Sequence, residues 1–156
     1  MKKQQGPFPG PAFGKQMAGM ITVPLMDQAS GEFTTNVHGK TLGSQIVGGI
    51  VKDVWLSVQS DGQPELAIDL SLTADVYING TSCLTTNPII ASQSGEAAAQ
   101  KTTVNSGTGI TQAVIDVDNR AFAAGDVFSY DMSITRTTPD AEMINPVICV
   151  EVEPYK

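Results

Sequence analysis

Residues 66–80 read LAIDLSLTADVYING, and this stretch decides the fold. Apolar residues occupy every second position from Leu66 to Ile78, seven in all, and the positions between them are mostly polar. Because successive side chains of a β-strand point to opposite faces, this period of two predicts one long strand with one buried face. A single strand cannot bury that face alone, so we expect a sheet with a second layer packed against it.

The strand is followed directly by Asn79-Gly80, a pair typical of the type I′ turn of a β-hairpin. Both central residues of that turn need positive φ, which Asn and Gly tolerate best. We therefore expect a short return strand over residues 81–85. Asn79-Gly80-Thr81 also matches a glycosylation sequon, but the turn is the favoured interpretation because the sequence gives no sign of secretion.

Four further segments alternate in the same way and predict strands. They cover residues 47–58, 110–117, 126–136 and 146–152. Turns rich in Gly, Asn, Asp and Pro separate them, which is typical of antiparallel sheets. In the first segment, strict alternation places Ile50 on the face of Val54, with Trp55 on the opposite face. Val51 falls on the Trp55 side, and burial of Trp55 is favoured over a subunit contact.

Composition divides the chain near residue 46. Residues 1–46 are rich in Pro and Gly and carry a formal charge of +2, whereas residues 47–156 carry −9, for a net charge of −7. A Pro/Gly-rich segment cannot build a core of its own. We therefore predict an all-β protein, in which residues 1–46 form an extended N-terminal arm and residues 47–156 form a jelly-roll-like antiparallel β-sandwich.

The arm is not a plain linker, because apolar and basic side chains are spread along it. Phe and Met recur without helical periodicity, which indicates an extended strap whose side chains anchor in pockets of a neighbour. A strap across its own domain is an equally open alternative. The candidate partner-binding residues are Lys2, Lys3, Phe8, Phe13, Lys15, Met17, Met20 and Phe33.

Composition also bounds the class of protein. Two cysteines, Cys83 and Cys149, are too few for a disulfide framework, so we favour two reduced core thiols over a pair. Sixteen acidic against nine basic residues argue against nucleic-acid binding. No run reaches the ~18 apolar residues of a membrane span, and the opening MKKQQGPFPGPAFG lacks the apolar stretch of a secretion signal. We expect a protein made and folded in a cytosol.

No catalytic arrangement can be assembled from the sequence. The single histidine, His38, lies in the arm, so no Ser-His-Asp or Cys-His set can be named. Acidic residues such as Asp75 and Asp131 alternate with apolar ones, so a solvated sheet face explains them better than a catalytic carboxylate pair. The remaining chemical alternative is a calcium site, although its residues are also ordinary turn formers. That site would use Asp116, Asp118, Asn119 and Asp126. We expect no enzymatic activity, no cofactor and no metal.

Several strand and turn phrases resemble a known family. They are IVKDVWLSV at residues 50–58, VYINGT at 76–81, GITQAVID at 109–116, AGDV at 124–127 and ITRT at 134–137. Over roughly residues 46–153, the chain resembles the auxiliary head proteins of tailed bacteriophages, the decoration or cement proteins that bind outside the major capsid shell. The resemblance implies a jelly-roll-like sandwich, commonly a homotrimer at or near three-fold positions of the capsid lattice.

The sequence therefore predicts a structural virion protein on the outer capsid surface, made in the bacterial cytoplasm. It would stabilise the capsid by bridging major capsid protein subunits, with its own copies as further partners and with no nucleic acid or membrane. The alternative is a phage fibre or carbohydrate-binding β-sandwich module that recognises a cell-surface glycan. Such modules usually need exposed aromatic side chains, and the chain has only nine aromatic residues.

Overall fold

The computed structural model describes residues 19–24, 32–33, 36–59, 70–92, 98–136 and 143–155, with side chains from 36–59, 70–92, 98–136 and 144–155. Within these ranges the protein is all-β and contains no helix. In chain order the strands are β1 (Gly19–Pro24), β2 (Glu32–Phe33), β3 (Val37–Ser44), β4 (Gly49–Ser57), β5 (Leu70–Ile78), β6 (Thr81–Ser82), β7 (Leu84–Thr86), β8 (Ile89–Ser92), β9 (Ile110–Thr111), β10 (Val114–Ile115), β11 (Ala121–Phe122), β12 (Val127–Arg136), β13 (Met143–Ile144) and β14 (Val147–Pro154).

Two antiparallel sheets form a β-sandwich, as predicted. One has the strand order β1-β14-β4-β11, and the other has the order β3-β12-β5-β8-β9 with β6 paired to the end of β5. Two small ladders, β7 with β10 and β2 with β13, complete the described pairing. Apolar side chains from both large sheets join in one core. Its largest fully buried members are Leu56, Leu70, Leu72, Ile90, Phe128, Tyr130, Met132 and Ile148. The jelly-roll topology stays a prediction.

The predicted long strand is confirmed over β5. Burial alternates along it without a break, and each of its apolar positions is at most 6% exposed. The turn is confirmed too, because Asn79 has φ 51° and Gly80 has φ 85°. β12, also predicted, pairs with β5 along its length, with Tyr130 opposite Val76. These two strands form the centre of the larger sheet.

A β-bulge in β4 overturns part of the predicted alternation. Val152 lies opposite Val51 while Glu151 lies opposite Asp53, so Lys52 is an extra residue in β4. The bulge turns Val51 into the core, where it is fully buried, and leaves Ile50 half-buried. The predicted faces of these two residues were wrong because strict alternation does not allow for an inserted residue.

Two predicted strands are each divided between sheets. The expected return strand over residues 81–85 ends at Ser82, and β7 then pairs with β10 instead of β5. Cys83 makes the transition, because its N–H donates to the carbonyl of Val76 while its own carbonyl accepts from the N–H of Asp116. The predicted strand over residues 110–117 is likewise divided into β9, in the larger sheet, and β10.

Parts of the predicted arm pair with the rest of the sandwich. β1 is an edge strand beside β14, β3 is an edge strand beside β12, and β2 pairs with β13. The domain boundary at residue 46 stays a prediction, and the pairing places strands from both sides of it in the same sheets. Whether residues 1–46 form a strap on their own domain or on a neighbour stays a prediction.

Candidate functional site

Most of the residues predicted to bind a partner lie outside the described part of the chain. These are Lys2, Lys3, Phe8, Phe13, Lys15 and Met17. The backbone of Met20 lies in β1 opposite Glu151, and the backbone of Phe33 lies in β2 opposite Met143. The roles of all these residues stay predictions. The structure shows only where the chain before Gly19 joins the sandwich.

The arm joins the sandwich at one definite end. Gly19, the first residue of β1, lies opposite Val152, and β14 finishes with Pro154 opposite Gly49. At the same end, Ser44 of β3 lies opposite Val127 of β12. We call this the Gly19 end. It carries the β3–β4 connection, the Asn79-Gly80 turn and the β11–β12 connection.

An apolar depression of about 510 Å³ opens at the Gly19 end. Small or aromatic residues provide most of its surface, and one carboxylate stands among them. The lining residues are Gly48, Ala121, Phe122, Ala123, Ala124, Asp126 and Tyr155. The ring of Phe122 joins this floor to the core, because it packs edge-on against Phe128 with the ring centroids 5.0 Å apart at an angle of 77°.

Gly48 sets the position of Tyr155 in this depression. The N–H of Tyr155 donates to the Gly48 carbonyl at 2.9 Å. A Cβ at Gly48 would lie 3.0 Å from the Phe122 carbonyl oxygen and 3.3 Å from the Tyr155 ring, tighter than ordinary van der Waals contact. The absence of a side chain at Gly48 therefore allows the aromatic ring to stand against the backbone as one wall of the depression.

Large apolar side chains are exposed around the same end. Ile46 is 88% exposed, Tyr155 59% and Val127 45%. Single exposed apolar residues are normal on a protein surface, but a group of them beside an apolar depression is typical of an interaction site. The Gly19 end is therefore the candidate functional surface.

Hydrogen bonds fix the two turns that border the depression. Asp126 accepts from the Ala123 N–H at 2.6 Å and from the Asn79 side-chain amide at 2.8 Å. Asn79 in turn accepts from the Val127 N–H at 3.0 Å. The bonds from Ala123 and then Asn79 hold the pKa of Asp126 below its usual value, so this carboxylate is an anion at neutral pH. The border of the depression is consequently built before any partner arrives.

The carboxylates of the calcium alternative are engaged in separate turns. Asp116 accepts from the Asn119 side-chain amide and from the Asp118 N–H, and these bonds hold its pKa below its usual value. Asp126 belongs to the β11–β12 connection. Among the residues that the structure describes, no group of three His, Cys, Asp or Glu is placed to hold a metal ion.

A second cluster, which sequence reasoning missed, lies on the polar outer side of the larger sheet. Asp131 accepts hydrogen bonds from the Gly39 N–H at 2.6 Å and from the Tyr77 hydroxyl at 3.1 Å, and His38 Nδ1 lies 3.4 Å from it. Asp75 lies directly opposite Asp131 on β5. We call this group, with Ser82, the Asp131 cluster.

Electrostatics in the Asp131 cluster follow from these contacts. Burial raises the pKa of Asp131, but the bonds from Gly39, His38 and Tyr77 outweigh burial and hold the pKa below its usual value. Burial, followed by the charges of Asp75 and Asp131, raises the pKa of the Tyr77 phenol. Asp75 also accepts from the Ser82 hydroxyl at 2.7 Å. The polar groups of this cluster are thus bonded largely to one another.

Both cysteines are buried and neither forms a disulfide, which confirms the favoured interpretation. Burial, with the nearby Asp75 charge, raises the pKa of the Cys83 thiol to about 12. A thiol of that pKa is protonated at neutral pH and is a poor nucleophile.

Trp55, which lies opposite Cys149 in the smaller sheet, is half-buried and less enclosed than predicted.

Comparisons with known proteins assign no family to the chain. No family model, curated protein or solved structure matches it. In the described ranges, no helix has the length and apolar character needed to cross a membrane. The function is therefore inferred from the geometry of the chain itself.

Proposed function

We propose that the protein decorates the outer surface of a bacteriophage capsid and stabilises the shell by bridging major capsid protein subunits. The observation that carries the proposal is the position of Gly19. The N-terminal segment, with its predicted anchors, starts from the end of the sandwich where exposed apolar side chains surround a preformed depression. A binding segment and a binding surface are thereby combined at one end of a rigid scaffold.

Stabilisation of this kind needs no catalytic group. A protein that binds the assembled shell and not its separated subunits shifts the equilibrium towards the shell by mass action. The described groups fit that role, because Cys83 is buried with a raised pKa and the carboxylates of Asp116 and Asp126 already accept hydrogen bonds from turn residues. Apolar contact is the main interaction that the Gly19 end offers to a partner.

The charge distribution also supports separate roles for residues 1–18 and the sandwich. Residues 1–18 contain Lys2, Lys3 and Lys15 and no acidic residue, whereas the remainder of the chain is strongly acidic. Lysines on a short segment bring it to an acidic surface and add contacts that salt weakens. Phe8 and Phe13 supply the apolar anchors of that segment.

The proposal includes finer features of the virion assignment. The sandwich is of jelly-roll type, the protein associates as a homotrimer, and the trimer sits on the capsid exterior. Three copies joined in this way present three arms, and attachment of one arm raises the effective concentration of the others to the millimolar range. Mass measurement of the protein in solution tests the trimer.

Removal of residues 1–18 tests the function. β1 begins at Gly19, so this deletion removes no strand of the described sandwich. Capsids built from the major capsid protein of the same genome are mixed with the intact protein or with the deletion variant, and sedimentation and thermal disassembly of the shell are followed. We expect the intact protein to sediment with capsids and to raise their disassembly temperature.

The deletion variant should lose at least tenfold in capsid affinity, with an unchanged circular dichroism spectrum. Lys2→Gln with Lys3→Gln is the matched charge variant, and it should weaken binding less and mainly at low salt. Equal binding by the deletion variant would remove the arm from the proposal. Failure of the intact protein to bind the capsid would remove the function.

A glycan-binding module is the second candidate, and one observation favours it. Tyr155 is exposed beside the carboxylate of Asp126, and an aromatic ring with a carboxylate is suited to a sugar. Both oxygens of Asp126 already accept hydrogen bonds, which leaves this candidate the weaker of the two. Glycan-array binding that Tyr155→Ala abolishes would reverse that order.

A further inference from the structure

We propose that the apolar depression at the Gly19 end is the docking site for the Phe13 side chain of the same chain. The depression lies within the size range of ordinary ligand pockets, and three of its seven lining residues are alanines, with Phe122 and Tyr155 as the aromatic ones. An aromatic occupant gains apolar burial and ring contacts there. This inference deepens the proposed function by assigning one arm residue to its own subunit, but its geometry does not depend on a capsid.

The length of chain before β1 is sufficient for this contact. Gly19 lies opposite Val152, three residues before Tyr155, which is about 10 Å along the sheet. β11, on the far side of β14 and β4, lies about 14 Å across the sheet at three strand spacings from β1. The diagonal is about 17 Å, and the six residues from Phe13 to Gly19 span at most ~20 Å when extended.

Charge complements the apolar contact. Lys15 is two residues from Phe13, so in an extended segment both side chains point to the same side. Asp126 lines the depression, and the hydrogen bonds that it accepts from the Ala123 N–H and the Asn79 side-chain amide fix its position. A lysine beside the entering phenylalanine therefore meets a fixed carboxylate.

The same chain is a better source of this ring than a second copy. A tether of six residues is long enough to reach the depression, and tethering gives the ring an effective concentration in the millimolar range. A second copy must reach that concentration in solution to compete. Docking at Phe13 would fix the base of the arm and leave Phe8, Lys2 and Lys3 beyond it for a partner.

Disulfide trapping tests the proposal on the full chain without any capsid. Pro11→Cys keeps the Phe13 ring and, two residues from it, lies on the same side of an extended segment. Ala124→Cys places the second thiol in the lining of the depression. The control pair is Pro11→Cys with Thr135→Cys, since Thr135 is exposed and lies near the opposite end of β12. Cys83 and Cys149 are retained because they are buried, and single-cysteine variants measure any reaction with them.

We expect a disulfide within one chain that forms at least tenfold faster than in the control pair, measured by intact mass under oxidising conditions. Adding Phe13→Ala to the test pair should remove most of that difference. Equal rates in the two pairs, or a rate insensitive to Phe13→Ala, would overturn the proposal. A disulfide between two chains would overturn it in favour of a second copy as the source of the ring. Circular dichroism establishes that each variant is folded.

Discussion

The Gly19 end and the Asp131 cluster are both on the surface, but they use their side chains in opposite ways. At the Gly19 end, apolar groups such as Ile46 and Tyr155 face water, and the polar groups present fix turns. In the Asp131 cluster, polar side chains bond to one another across three strands. The Gly19 end therefore exposes apolar area that a partner would bury, whereas the hydrogen bonds of the Asp131 cluster already stabilise the fold.

The largest expected effect on stability distinguishes Phe122, on the floor of the depression, from Tyr155, in its wall. Phe122 is 4% exposed and packs on Phe128, so Phe122→Ala should lower the free energy of unfolding by about 3–5 kcal/mol. Tyr155→Ala, at an exposed position, should change it by no more than about 0.5 kcal/mol. Urea denaturation measures both. A large loss with Tyr155→Ala would show that the wall belongs to the core.

The next effect concerns the Asp131 cluster. Asp131→Ala removes the acceptor of the Gly39 N–H and the Tyr77 hydroxyl, and water can reach the exposed Gly39 N–H, so we expect a loss of about 0.5–1.5 kcal/mol in the free energy of unfolding. Thr135→Ala, at an exposed position of the same strand, is the control and should cost less than about 0.5 kcal/mol. Equal effects of the two changes would mean that the cluster contributes no more than an ordinary surface.

Acid should weaken the Asp131 cluster. The folded-state pKa of Asp131 lies below its ordinary value of 3.8, so its contribution is present above that value and is lost as pH falls through the folded-state pKa. The free energy of unfolding should therefore decrease below about pH 5, and the decrease should be shallower in Asp131→Asn. Denaturation at a series of pH values measures this. Identical curves for the two proteins would contradict the assignment.

The smallest stability effect is expected at the Gly19 end, at Ile46. Ile46 is 88% exposed, so Ile46→Ser should leave the free energy of unfolding within about 0.5 kcal/mol of the original. The same change should weaken capsid binding if the apolar rim contributes to it. Leu72→Ser, in the core, is the contrasting variant and should unfold the protein. A stability loss with Ile46→Ser would place that residue in a contact within the fold.

The sequence predicts those elements in which one strand serves one sheet. β5 and β12 show this, since burial alternates along all of β5 and along β12 from Phe128 to Met132, and the smaller sheet supplies the opposite layer. β9 and β10 do not, because apolar residues within eight positions belong to two different ladders. Periodicity reports that a side chain is buried but not which sheet buries it. The bulge at Lys52 could not be predicted from the sequence either, because a bulge changes the register of a strand without changing its composition.

The sequence reveals neither the Asp131 cluster nor the depression at the Gly19 end. His38 meets Asp131 only because β3 pairs with β12 through two register irregularities, which no local pattern encodes. The depression is built by residues 121–126, a stretch that reads from the sequence as a turn. Gly48 carries the one readable signal, a Gly-Gly pair before a strand, but its partner Tyr155 is distant in the chain. Neither surface follows from one segment alone.

The pairing of β1 with β14 has a consequence for biosynthesis. β1 and β4 leave the ribosome well before β14, to which both of them hydrogen-bond. The smaller sheet therefore cannot form completely until β14 has been synthesised. Pairing between residues so far apart in sequence is intrinsically slow. Nascent chains should thus expose an incomplete sheet until β14 emerges from the ribosome.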